Sequence, residues 1–234
     1  MKRILLLTVS DMRFQFQHGF YYAYLFMTII YVGMLKYVPD DFLDIVTIVV
    51  VFSDPSFLGA FFVGGIVLLE KSQGVYDALF VTPLSVGEFL ISKVLSLSFI
   101  SLVSSGAILL MVHSTFDVIP FVVGILLSSI VFTLIGLLLA VRVNTVNQFL
   151  LTSPLVLMVF FVPVVGLFEW WDSYFFKWLP SYAGLLLMEG TFQELKIWEF
   201  ILAVFILLLW AVGLYLWAKR DFHKYILAKA GDEK

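Results

Sequence analysis

The chain of 234 residues contains no cysteine. That removes disulfide frameworks, zinc–thiolate sites and thioether-linked haem from consideration. Histidine is nearly as scarce. His18, His113 and His223 lie far apart, each in a different flank or loop, so no histidine cluster for a metal is expected. Charge is the third shortage. Asp, Glu, Lys and Arg make up 13% of the residues, against about 25% in a typical soluble domain. So few charges cannot coat a globular surface, which rules out a soluble enzyme. Lys+Arg 14 against Asp+Glu 17 gives a net charge of −3, too balanced for a nucleic-acid binder. A phosphate-binding G-x-x-x-x-G-K-[ST] loop is also missing. The nearest look-alike, Gly87 to Lys93, lacks the glycine spacing and the following Ser or Thr.

What fills the chain is oil. Hydrophobic residues make up 62%, aromatics 18%, and the mean hydropathy is +1.06. The expected class is an all-α integral membrane protein. Six apolar segments are read as spans, at about 20–38, 44–69, 86–112, 118–141, 148–168 and 198–218. Each is near or above the roughly 20 residues that cross the hydrocarbon core. Six spans use about half the chain, leaving short loops rather than a soluble catalytic domain, and 1–234 is read as a single transmembrane domain.

An even number of spans puts both termini on one side. With that side inside, Lys2, Arg3, Arg13, Lys71, Lys93, Arg142, Lys219, Arg220, Lys224, Lys229 and Lys234 fall inside, and Lys36, Lys177 and Lys196 fall outside. Basic residues concentrate on the cytoplasmic side of membrane proteins, so cytoplasmic N- and C-termini are expected. The outer loops are acidic, with Asp40, Asp41, Asp44, Asp117, Glu169, Asp172, Glu189, Glu194 and Glu199.

Residues 1–17 are not a signal peptide: the apolar run Ile4–Leu7 is too short, and Asp11 and Arg13 follow it. As a helix, Leu5, Val9, Met12 and Phe16 share one face, and Lys2, Arg3, Ser10, Arg13 and Gln17 the other. This pattern suits an amphipathic helix on the inner membrane surface; the plainer alternative is a polar lead-in to span one. Span two contains Ser53-Asp54-Pro55. Pro55 favours a helix's first turn, so Ser53 or Asp54 can cap a new helical start, which would break the span there. The other reading puts Asp54 and Pro55 on a translocation path, because an ionisable group at that depth normally faces a cavity or a partner. Span four carries Gly124, Ser128, Ser129, Thr133 and Gly136. Such small residues permit close helix approach, either at a subunit interface or within one subunit. Residues 169–197 are rich in aromatics: Trp170, Trp171, Tyr174, Phe175, Phe176, Trp178 and Tyr182 surround Pro180. They are read as two short re-entrant helices dipping into the outer leaflet and hinged at Pro180, with an aromatic anchor belt as the alternative.

The longest cytoplasmic loop, 70–85, is expected to carry function. Ser85 and Glu88 have capping-box spacing at the start of span three, and Val75, Leu79 and Phe80 can form one apolar face of a short helix between Gly74 and Pro83. A short helix bracketed by two spans suits a docking element for a cytoplasmic partner. The run Glu70-Lys71-x-x-Gly74-Val75-x-x-Ala78-Leu79-x-Val81-Thr82-Pro83-Leu84-Ser85-x-x-Glu88-Phe89-Leu90-x-x-Lys93 resembles the permease subunits of ABC-2 type ABC transporters. Ser-Asp-Pro at 53–55 and Trp-Leu-Pro-Ser-Tyr at 178–182 also resemble that family, and most of all its drug-export, including fluoroquinolone-export, branch.

The resemblance implies two permease subunits, as a homodimer, working with two copies of a separate ATPase subunit. ATP and Mg would be bound by that partner, and no cofactor by this chain. Coupling to the ATPase would fall on the surface helix and on Glu70, Lys71, Gly74, Val75, Tyr76, Asp77, Leu79, Thr82, Pro83, Ser85, Glu88 and Lys93. The implied activity is export of a drug, lipid or peptide across a prokaryotic cell membrane. The competing readings are a stand-alone secondary transporter or channel, for which no internal repeat is found, and an intramembrane enzyme, for which no nucleophile–base pair is visible. Arg142 with Asn144, Asn147 and Gln148, and the run Lys219–Lys224, are read as anchors at the inner surface.

Overall fold

A computed structural model describes residues 2–76, 84–168 and 175–227, with Pro55, Ser56, Phe57 and Leu227 described in backbone only. Every regular element among these residues is helical. The chain opens with α1 (Lys2–Gln17) and α2 (Phe20–Leu35), which meet at a 69° bend. Gly19 makes the corner with φ +84°, a conformation that costs a residue with a Cβ and is open to glycine. Next comes α3 (Asp40–Ser53), whose Asp40 and Asp41 sit in the first turn, where the helix dipole favours negative charge. The cap expected at Ser53–Asp54 is not formed. The helical path continues through a π-helical turn, Asp54–Gly59, into α4 (Ala60–Ser72). Ser53 instead donates its hydroxyl to the Val50 carbonyl at 2.7 Å, which leaves Pro55 inside a widened turn rather than at a fresh start. Gly74, at φ +65°, ends this helix, and its N–H donates to the Lys71 carbonyl at 3.3 Å.

Local capping fixes the starts of the next helices. In α5 (Val86–Val112) the Ser85 hydroxyl accepts from the Glu88 N–H at 3.2 Å, and the Glu88 carboxylate accepts from the Ser85 N–H at 3.0 Å. The Asp117 carboxylate accepts from Ile119 N–H at the head of α6 (Val118–Arg142). Thr145 does the same for Gln148 at the head of α7 (Val146–Phe161), which continues as a 3₁₀ turn over Val162–Phe168. Pro180 occupies the first turn of α8 (Pro180–Glu189), where its missing N–H costs nothing. The last helix is α9 (Ile197–Phe222), followed by a π turn over His223–Leu227. The Lys219–Lys224 run therefore lies within helical backbone that passes beyond it.

The centre of the bundle is α6, packed against α4, α5, α8 and α9. Its small residues make that possible. A Cβ on Gly136 would strike the Ala60 backbone and Val63, and one on Gly124 would strike Leu187 and Met188. Gly124, Ser128, Ser129, Thr133 and Gly136 are all buried inside the chain, so this stripe packs helices within one subunit, and the subunit-interface alternative falls. The short helix α8 is also buried, against α6, α9 and α3.

Outward faces are apolar: Leu25, Phe26 and Ile29 on α2, Leu151, Leu155 and Met158 on α7, Phe205, Leu209 and Val212 on α9. Among the described residues, Val86–Val112, Val118–Arg142, Val146–Phe168 and Ile197–Ile226 are each long and apolar enough to cross a bilayer, and the bent pair α1–α2 makes a fifth candidate. The protein is a membrane protein whose exposed oil meets lipid.

Close packing at Gly136 predicts a contrast between two alanine substitutions. Gly136→Ala should destabilise by about 1–3 kcal/mol through overpacking. Gly106→Ala, where a Cβ meets open space, should be neutral or gain up to about 1 kcal/mol of helix propensity. Thermal unfolding of the two variants in detergent, compared with the parent, checks this.

Candidate functional site

The densest cluster of charge lies at the end of the bundle where α1, α4 and α5 meet. Its centre is the Lys93 ammonium, whose side chain is 1% exposed. It forms ion pairs with Asp11 of α1, at 2.5 Å, and with Glu70 of α4. Hydroxyl groups hold both acids in place. The Ser92 hydroxyl donates to Asp11 at 2.7 Å, and the Tyr76 hydroxyl donates to Glu70 at 3.2 Å. Gln15, one turn beyond Asp11, donates to Ser96 at 2.8 Å. The Phe89 ring lies 5.1 Å and the Phe14 ring 5.9 Å from the ammonium, close enough for cation–π attraction. Removing one partner of such a buried pair typically costs about 3–5 kcal/mol, because the other charge is left unpaired.

Several residues singled out from the sequence converge here. Glu70, Tyr76 and Lys93 are in contact, and Glu88 with Ser85 caps the helix that carries Lys93. Lys71 points elsewhere, donating to the Val143 carbonyl at 3.1 Å and the Asn144 side chain at 3.2 Å, which ties α4 to the α6–α7 loop. Gly74 makes the turn after α4, and Val75 is half-buried beside it. Asp77, Leu79, Thr82 and Pro83 lie outside the described residues, as does most of the short helix expected between Gly74 and Pro83.

On α1, Lys2, Arg3, Arg13 and Gln17 are exposed, and so are the apolar Leu5, Val9 and Phe16. A third stripe, Thr8, Asp11 and Gln15, faces α5. Sequence reasoning missed Asp11. The available signal was an acid in step with Thr8 and Gln15 on an otherwise basic helix.

A second unforeseen pair closes the same end of the bundle. Arg142, read as an anchor, grips buried Asp221 through Nε at 2.7 Å and Nη2 at 2.5 Å, and its guanidinium lies 4.9 Å from the Trp217 ring. Asp221 is followed by fully buried Phe222, which packs on Tyr76 and Phe89. The ends of α6 and α9 thus join the Lys93 cluster through aromatic contact.

Deeper in the bundle, Asp54 is fully buried. Its carboxyl oxygens lie 3.4 Å from the Ser104 and Ser105 hydroxyls of α5. Ser104 also bonds Thr28 at 2.8 Å, and Ser101 bonds Tyr24 at 3.3 Å, linking α2 into the same seam. The Pro55 side chain lies outside the description.

At the opposite end of α5, a cavity of about 880 Å³ opens between the loops, lined by Asp44, His113, Phe116, Asp117, Phe192 and Glu194, among others. His113 bonds Thr47 at 3.0 Å and approaches Asp44 at 3.6 Å. Burial pushes the His113 imidazole below its usual value, against the pull of the Asp44 carboxylate. Of the aromatic outer segment, Trp170 and Trp171 lie outside the described residues. Trp178 is exposed, its carbonyl accepting from the Trp210 indole at 2.9 Å, and Tyr182 is half-buried. A short 3₁₀ helix, Phe176–Trp178, precedes Pro180, which begins α8. No group of three or more His, Asp or Glu side chains among the described residues is arranged to hold a metal ion.

Residues 3–230 match the fluoroquinolones export permease protein family. The chain belongs to this family. Two relatives, the fluoroquinolones export permease proteins of Mycobacterium tuberculosis strains CDC 1551 / Oshkosh and ATCC 25618 / H37Rv, are each 27% identical over 225 residues, covering 94% of this chain and 95% of theirs. The permease family and the apolar helices agree on a membrane-embedded transport component.

The permease should lose stability on acidification through His113. Its folded value lies below the ordinary 6.5, so the unfolded chain takes up the proton first. The contribution is complete above about pH 6.5 and is lost as pH falls toward and through the folded value. Between pH 7.5 and 5, the thermal midpoint of the parent should fall more steeply than that of His113→Gln, and parallel slopes would refute the assignment.

Proposed function

We propose that the permease is the membrane subunit of an ATP-driven exporter of the ABC-2 type, and that a separate ATPase subunit hydrolyses the ATP. Two permease copies and two ATPase copies would make the working unit. The cargo is an amphipathic, drug-like molecule, a reading supported by the names of the relatives and by the apolar, aromatic character of the bundle. Export runs outward across the cell membrane, with both termini on the cytoplasmic side, as the sorting of basic residues favours.

In this reading six stretches cross the bilayer: α2, the helical path 40–72, α5, α6, α7 with its 3₁₀ continuation, and α9. The helix α1 lies on the cytoplasmic surface, its exposed Leu5, Val9 and Phe16 in the lipid and Arg3 and Arg13 toward water. The helix α8 is a re-entrant element on the outer side. Asp54 and Pro55 lie beside the path of the cargo.

The observation that carries the proposal is the buried Asp11–Lys93–Glu70 cluster. It stands where α4 ends and α5 begins, and it links the surface helix to both. A partner pressing on α1 or on the loop after Glu70 would move α4 and α5 together through it. Gly74, Ser85 and Glu88 set the geometry of that loop, Lys71 ties it to the α6–α7 loop, and Asp77, Leu79, Thr82 and Pro83 would supply its docking surface.

Inverted membrane vesicles carrying the permease and its ATPase should accumulate a fluorescent fluoroquinolone only with hydrolysable ATP and an intact ATPase. Glu70→Gln should lower that uptake about tenfold at equal permease content. Uptake by the permease alone, driven by an ion gradient, would favour a stand-alone secondary transporter. Unchanged uptake by Glu70→Gln would remove Glu70 from the coupling path.

A further inference from the structure

We infer that Asp11 is a positioning residue that docks α1 reversibly on Lys93, and that Glu70 keeps the ammonium neutralised when α1 leaves. The role this gives Asp11 in transport rests on the coupling reading above.

The charge count is the first argument. Among the described residues one ammonium faces two carboxylates, so with both acids ionised the docked cluster carries an excess negative charge in a poorly hydrated place. With Asp11 withdrawn, Lys93 and Glu70 remain as a neutral pair. An ammonium with a single acid would be stranded by the loss of that acid, at heavy cost. A second acid makes departure of the first affordable.

The two acids are also held differently. Glu70 has a side chain 6% exposed, sits on α4 inside the bundle, and accepts a hydrogen bond from Tyr76, whose hydroxyl also reaches the Val67 carbonyl. Asp11 is the more exposed acid, at 12%. It sits on a helix whose residues Lys2, Arg3, Leu5, Val9, Arg13, Phe16 and Gln17 are exposed, and that helix joins α2 through the Gly19 corner. The ties from α1 to α5 are chiefly polar: Asp11 to Lys93 and Ser92, Gln15 to Ser96, with Phe14 beside the ammonium. Water can replace polar ties at little net cost, whereas interlocked apolar side chains separate only by exposing oil. Asp11 is thus the releasable acid and Glu70 the resident one.

The absence of cysteine makes a direct test possible. Gln15, on the face of α1 turned toward α5, is 1% exposed, and Gln15→Cys would be the chain's sole thiol. Its rate of reaction with a water-soluble maleimide reports undocking of α1 in the purified permease, without any ATPase. Adding Asp11→Asn should raise the rate about tenfold. Adding Glu70→Gln should lower it, because Lys93 then has Asp11 as its remaining acid.

Rates that shift in the same direction, or in neither variant, would overturn the inference. If Asp11→Asn accumulates poorly, the Lys93→Met background decides. An Asp11 that acts through Lys93 has no further effect there, and an added loss of yield or added labelling marks a plain structural role. Failure of ATP-driven uptake would sink the exporter reading and leave this labelling contrast standing, so the two failures are distinguishable.

Discussion

An ammonium cut off from water has to be neutralised where it lies, and the Lys93 end of the bundle is arranged around that requirement. Glu70, brought up by α4, neutralises Lys93 inside the bundle, and Asp11 of α1 reaches the same ammonium from the outside. Tyr76 must then fold back over Glu70, which puts the chain after Gly74 against the bundle, where Phe222 and Phe89 complete an aromatic cover. Four separate parts of the chain are thereby tied at one point. Burial on this scale does not by itself stabilise a fold, since an apolar substitute often does as well. What a charged junction adds is a choice of partners, and a moving part can use that choice.

Farther from this junction the polar groups have a different task. The seam of Tyr24, Thr28, Asp54, Ser101, Ser104 and Ser105 joins α2, the π turn and α5 through hydroxyls. Between helices in lipid no hydrophobic force favours association, so small residues and side-chain hydrogen bonds do more of the work. The glycines and hydroxyls of α6 follow the same logic by contact rather than bonding. Among the described residues the hydroxyls of Ser128, Ser129 and Thr133 are buried without a hydrogen-bond partner, and their small size lets neighbouring backbones close in.

What the sequence revealed and what it concealed divide by distance along the chain. The Ser85–Glu88 capping box was legible because its members are three residues apart. Helical stretches over 86–112 and 118–141 were legible because an apolar run of that length has few other uses. The amphipathic face of residues 5–16 was legible for the same periodic reason, and the family resemblance carried by the 70–93 run agrees with the family match. The pairings that build the site were hidden. Asp11 reaches Lys93 across 82 residues and Arg142 reaches Asp221 across 79, and no local pattern encodes which helices become neighbours. Asp54 shows a failure of another kind. Ser-Asp-Pro reads as a helix start, but tertiary packing against α5 and α6 holds the backbone helical and absorbs the proline in a π turn. The small stripe of α6 announced a close contact without naming the partner.

The corner at Gly19 has a consequence for the lipid. Sixteen residues of α2 rise about 24 Å, less than the roughly 30 Å of a typical hydrocarbon core. With α1 on the membrane surface, as proposed, its apolar face would sink some 5–10 Å below the headgroup boundary, so α2 would start its crossing already inside the membrane and cover only what is left. On that placement the bend and the short helix would match each other, and together they would set the bilayer thickness in which α1 rests without strain. Thicker membranes would draw α1 deeper or thin locally around it, which would make acyl-chain length a mechanical input to the helix that carries Asp11.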